Sequence, residues 1–214
     1  MVIKVNDIYD GTETSINNVF TNINLGTSSI KNLSRILSIK AFENNVVATS
    51  ELTTKVTEGT TSVYVTVEVS SSLMLLPETP MTGRLDNARV GYFTNPLLSY
   101  SDGQQRVSKQ QFITRWRLEP KLEDRERYLR GELVEPAKPI VFYIENSTPY
   151  RWRKYIKQGI EDWQVAFERA GFKNAIIAKE ITDSMTVDMD DVNYSVLTYA
   201  ASTKANAMGP SILD

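Results

Sequence analysis

The sequence predicts an α+β protein, and three observations carry that prediction. Residues 61–74 alternate apolar and polar side chains with the period of a half-buried strand. Residues 139–145, "PIVFYIE", form a continuous apolar run, followed at once by a helix start and a stripe of helical period. Between them, residues 82–139 are irregular, with one short alternating stretch. Three segments follow: a β-rich region over 1–76, an irregular connecting segment with one strand over 77–137, and an α/β part over 138–214.

The β-rich region starts with "GTETSINNVFTNINLGTSS", whose polar, Asn/Ser/Thr-rich composition predicts loop with at most a short strand. "SRILSIKAF" and "NVVATSELTTKV" then flank Glu43-Asn44-Asn45, a hairpin turn in which Asn tolerates positive φ. A second turn falls at Glu58-Gly59. The strand after it puts Val63, Val65, Val67 and Val69 on one face and Tyr64, Thr66 and Glu68 on the other. Pro77 and Pro80 punctuate the chain.

In the middle segment "QQFITRWRLEP" alternates Phe112, Thr114, Trp116 and Leu118 against Ile113, Arg115 and Arg117, which predicts its one strand. "KLEDRERYLRGELVEP" reads as a short charged helix or turn stopped by Gly131 and Pro136.

In the last segment the apolar run is a strand covered on both faces. Thr148 is placed as helix N-cap and Pro149 at the first helical position. The helix continues through "YRWRKYIKQGIEDWQVAFERAG", with Trp152, Ile156, Ile160, Trp163 and Phe167 on one stripe, which reads as core in preference to a ligand pocket. Gly171 and Phe172 form a Schellman stop. "NAIIAKEI", "YSVLTYAAS" and "NAMGPSIL" read as further strands, the first of them a parallel return.

Composition removes several chemistries. The 214 residues include no cysteine and no histidine. Thiolate metal sites, disulfides, cysteine nucleophiles and any Ser-His-Asp arrangement are therefore absent, and a metal held by this chain needs oxygen ligands. A net charge of −2 argues against a general nucleic-acid binder, and no apolar run is long enough to span a bilayer. No signal peptide is read at "MVIKVNDIYDG". Asp183, Asp188, Asp190 and Asp191 form the densest carboxylate group, either a solvated loop or a calcium-stabilised one. Arg115-Trp116-Arg117 mixes cations and an aromatic, and ion pairing is preferred there to single-strand nucleic-acid binding. No phosphate-binding glycine motif occurs.

Three long runs carry a resemblance: "QQRVSKQQFITRWRLEP", "RGELVEPAKPIVFYIENSTPYRWRKYIKQGIEDWQVAFERAGFKNAIIAKE" and "YSVLTYAASTKANAMGPSILD". They resemble the large bacterial zinc-dependent metalloproteases of metzincin-like type, common in Bacteroidetes. "LLPETPMTGRLDNARVGYFT" resembles the segment before their catalytic domain, and residues 1–72 resemble the end of their N-terminal region more weakly. The resemblance implies that 138–214 is the upper strand-helix-strand-strand-strand subdomain of such a catalytic domain. It implies a zinc-binding HExxHxxGxxH helix that this chain stops short of, so the chain is an N-terminal fragment, inactive alone. "NAMGPSIL" is then the antiparallel edge strand above the cleft, with Ala207, Met208, Gly209 and Ser211 binding extended peptide main chain to main chain. Pairing breaks at Pro210. The resemblance also implies peptide or protein substrates, zinc in the parent but no cofactor in this chain, edge pairing with another chain, and a periplasmic or extracellular location. The alternative is a non-catalytic binding module that reuses the scaffold.

Overall fold

The structure is a computed structural model of the 214-residue chain. It describes residues 6–11, 19–26, 28–204 and 206–209. The architecture is mixed sheet and helix, of α+β class. The chain divides into two compact units, one of residues 1–75 with 190–193, the other of residues 76–189 with 194–214.

The first unit is a three-stranded antiparallel meander of β1 (Arg35–Ala41), β2 (Asn45–Glu58) and β3 (Thr61–Met74), with β2 central. Two single-turn helices, α1 (Asn6–Tyr9) and α2 (Val19–Asn22), precede it. The second lies in the stretch expected to hold loop or a short strand. Neighbouring residues of β2, such as Val47 with Ala48 and Thr53 with Thr54, are both buried, so both faces of the central strand are covered. Leu52 of β2, Tyr9 and Phe20 complete the buried apolar set.

Two of the buried β2 hydroxyls find partners, as burial favours, while Ser50 Oγ has none among the described residues. Thr53 Oγ1 meets Thr66 Oγ1 across the ladder at 2.9 Å, and Thr54 Oγ1 donates to the Ser28 carbonyl at 2.9 Å. Both expected turns are present. The β1–β2 turn closes with Phe42 N–H donating to the Asn45 carbonyl, and Gly59, at φ +61°, supplies the left-handed residue of the β2–β3 turn. Val65, Val67 and Val69 are half-buried and their neighbours Tyr64, Thr66 and Glu68 exposed, as the alternation predicts, while Val63, expected on the same face as the valines, is exposed near the turn.

A segment distant in sequence belongs to this unit. Asn45 is buried, and its amide nitrogen donates to Ser72 Oγ at 3.1 Å and to the Asp190 carbonyl at 2.8 Å. Its amide oxygen accepts from Val192 N–H at 3.3 Å. Lys40 pairs with Asp190 at 2.8 Å, and Asn44 donates to Asn193 Oδ1 at 2.8 Å. Residues 190–193 are thus tied to the β1–β2 turn by side chains that bond where a ladder would otherwise continue.

The second unit contains two sheets. A hairpin pairs β4 (Thr94–Ser99) with β5 (Ser108–Ile113). Two strands therefore lie where the pattern predicted one, and β5 ends before Trp116. The reason is local. Arg115 Nη2 donates to the Thr82 carbonyl at 2.8 Å and Arg117 Nη1 to the Thr79 carbonyl at 3.0 Å. These long cations bond an adjacent irregular segment, so the alternation seen from Thr114 to Leu118 is not that of a strand. Arg117 also pairs with Glu119 at 3.2 Å, the ion pairing that the charge pattern favoured.

The second sheet is parallel throughout, in the order β7-β6-β8, from β6 (Ile140–Ile144), β7 (Ile176–Glu180) and β8 (Ser195–Leu197). Helices α4 (Tyr150–Glu161) and α5 (Gln164–Arg169) form the crossover from β6 to β7. The expected single helix is two, because the chain tightens at Asp162-Trp163, where Trp163 N–H reaches back only three residues, to Ile160.

The stop is of Schellman type: Phe172 N–H donates to the Phe167 carbonyl and Gly171 N–H to that of Glu168, both at 2.9 Å. Gly171 has φ +96°, and a Cβ there would sit 2.7 Å from the Tyr128 ring. That ring, from α3 (Arg125–Leu129), stacks on Phe172 with centroids 4.9 Å apart, over a core of Val134, Phe172 and Ala175.

Candidate functional site

Two segments leave the parallel sheet at the carboxyl ends of β6 and β8, the region where open α/β sheets place ligands. One is the turn 145–149 leading into α4. The other is the stretch after Leu197.

The turn is built by Arg153. Its Nε donates to the Thr148 carbonyl at 2.9 Å and its Nη2 to the Asn146 carbonyl at 2.8 Å, while Nη1 pairs with Glu180 at the end of β7 at 3.2 Å. One side chain therefore fixes the entry of α4 against both β6 and β7. The cap itself differs from expectation. Pro149 is the N-cap (ψ 132°), and Thr148, placed one residue earlier, is buried with no partner for its hydroxyl among the described residues. The helix starts at Tyr150, one residue later than expected, so Thr148 lies one position before the cap and its hydroxyl is not in the place from which an N-cap side chain accepts.

Arg151, Trp152, Tyr155 and Ile156 of α4, with Tyr199 beyond β8, line an open depression of about 440 Å³. Arg151 lies 4.9 Å over the Trp152 ring, a cation–π contact, and the Trp152 and Tyr155 rings are 6.4 Å apart. Trp152 is 42% exposed and Trp163 62% exposed, so neither is the core residue that the helical stripe predicts. The sheet covers only one side of the helices, and the half-buried stripe is Arg153, Ile156, Ile160, Gln164 and Phe167. The tryptophans fall beside it. Trp163 borders a second open depression with Asp162, Val165, Ala166 and Arg169.

The expected peptide-binding residues are placed differently from their prediction. Asn206 to Gly209 form no strand and are exposed, Met208 at 85%. No ladder partner reaches them among the described residues. Ser211 lies outside the described residues. The outer side of β8 pairs with no strand among the described residues.

The carboxylates of the acidic loop disperse. Asp190 pairs with Lys40, and Asp191 Oδ1 accepts from the backbone and side chain of Asn193, each at 2.9 Å. Among the described residues no group of three or more His, Cys, Asp or Glu is placed to hold a metal ion. Glu132 is held below the usual carboxylate range, first by its hydrogen bond from Arg127 and then by that from Arg130. Glu135 is lowered by Asn174 and Lys121. These are exposed structural pairs around the α3 stop. No helix of the described residues is long and apolar enough to cross a membrane.

Fold and site together define a two-unit α+β protein with an antiparallel meander, a small parallel crossover sheet and an aromatic depression beside it. Residues 1–121 match the family described as "Domain of unknown function (DUF5117)", and the chain belongs to that family. The match covers β1 to β5 and stops short of the parallel sheet. No curated protein matches the chain, and no solved structure does.

Proposed function

We propose that this chain is the N-terminal portion of a zinc-dependent metallopeptidase of metzincin-like type, supplying scaffold and a substrate-binding wall. The observation that carries the reading is the outer edge of β8. It ends a parallel strand-helix-strand-strand unit and pairs with nothing among the described residues. An unpaired edge offers alternate N–H and C=O groups to an extended peptide. The exposed Ala207, Met208 and Gly209, with Ser211, extend that wall in this reading. The long sequence runs quoted above support it independently.

The residues of this chain do not fit zinc. It has no imidazole or thiolate, and its described carboxylates form no cluster. In this reading the metal ligands belong to the rest of the parent protein, and the chain alone is inactive. Its location is periplasmic or extracellular.

The test is hydrolysis of an unstructured protein such as casein. The parent protein is expected to cleave it, to lose activity to phenanthroline and to regain it with zinc. A parent inert under every condition would leave only the binding-module reading.

A further inference from the structure

We propose that the depression between α4 and Tyr199 is a docking site for an acidic peptide segment carrying an aromatic anchor residue. The inference stands apart from any peptidase activity, because it concerns residues wholly of this chain.

The charge pattern points to the occupant. The charged residues of α4 are Arg151, Arg153, Lys154 and Lys157, with Glu161 alone of opposite sign at its last position, and Arg153 is engaged with Glu180. The first turn of α4 carries no acidic residue. Cations at a helix N-terminus oppose the helix dipole, whose positive end lies there, so this arrangement works against helix stability. It adds instead to a positive field. The stretch after β8, residues 198–209, carries one charge, Lys204. None of the residues that line the depression is acidic, and the one carboxylate of α4, Glu161, lies at the opposite end of the helix from Arg151, so a partner that supplies carboxylates meets a cationic rim.

The shape points to the anchor. Trp152, Tyr155 and Tyr199 are all exposed, and Ile156 forms an apolar floor. Exposed rings grouped in a shallow, open surface with an arginine resemble the composition of interface hot spots, where aromatic anchors meet aromatic or guanidinium walls. The third feature is Gly159. It lies three and four residues beyond Ile156 and Tyr155, hence on their face of α4. A glycine inside a helix disfavours it relative to alanine, and a Cβ at Gly159 would meet no atom within 4 Å. Internal packing therefore does not require glycine here. A chain lying along this face would.

The experiment is calorimetric titration of the full chain with short capped peptides of Glu and Asp around a central Phe. Controls carry Lys for the acids, or Gly for Phe. The acidic Phe peptide is expected to bind at least about tenfold more tightly than either control, and more weakly as salt rises. Arg151→Glu is expected to lose about tenfold in affinity. Gly159→Ala is the sharper variant: it should raise Tm while weakening binding, a pair of changes that misfolding cannot produce. Equal binding of the Lys peptide, no heat with any peptide, or unchanged affinity in both variants overturns the proposal. Concentration-dependent self-association that Arg151→Glu abolishes would give the depression to a second copy of the chain, and would overturn it too.

Discussion

Thr148 shows how a single residue can be read two ways. As an N-cap its hydroxyl would contribute about 1 kcal/mol, lost on removal. In the structure the hydroxyl is buried and has no partner among the described residues, so Thr148→Val, which keeps the shape, should be neutral or stabilising in urea unfolding. A loss near 1 kcal/mol would restore the capping role. Glu132 and Glu135 give a second prediction at this scale. Their folded pKa values lie below the ordinary 4.5, so their contribution is complete above that value. It is lost as pH falls through the lower folded values. Both groups are exposed and the effect is small. The double variant Glu132→Gln with Glu135→Gln should show a flatter fall of Tm below pH 4.5 than the parent chain. Parallel slopes would contradict the assignment.

At the scale of elements, the strongest local signals were legible in the sequence. The valine alternation of β3, the Gly59 turn, the apolar run of β6 and the Gly171-Phe172 stop each depend on a few adjacent residues. What was not legible depends on distant partners. Trp152 and Trp163 keep helical spacing with the core, yet only the sheet side of α4 and α5 is covered, and spacing cannot say how wide that cover is. The alternation through Trp116 failed as a strand because Arg115 and Arg117 bond carbonyls more than 30 residues away. The 190–193 segment is the clearest case, since Asn45 reaches it across 145 residues of sequence. Asn45→Ala removes its amide and leaves Ser72 and Val192 N–H short of a partner, and should cost about 2 kcal/mol. It should also speed proteolysis between residues 181 and 194. Unchanged stability and cleavage would show that the tie carries no weight.

For the whole molecule, the aromatic depression was missed because its residues come from two elements, and Tyr199 gave no signal in its own stretch. The candidate wall was read from resemblance, and the exposed, unpaired backbone at 206–209 differs from the strand it implied. The peptidase proposal rests on the unpaired edge of β8 together with that resemblance, and it makes one demand of the chemistry. A chain with no histidine and no cysteine cannot form the histidine-ligated zinc site that the resemblance implies. The most direct measurement is therefore zinc content and peptide hydrolysis, side by side, for this 214-residue chain and for the protein extended past Asp214. The account predicts no zinc and no turnover for the first, and about one zinc per molecule with chelator-sensitive turnover for the second. Zinc-free and inert preparations of both, or turnover by the short chain alone, would contradict it.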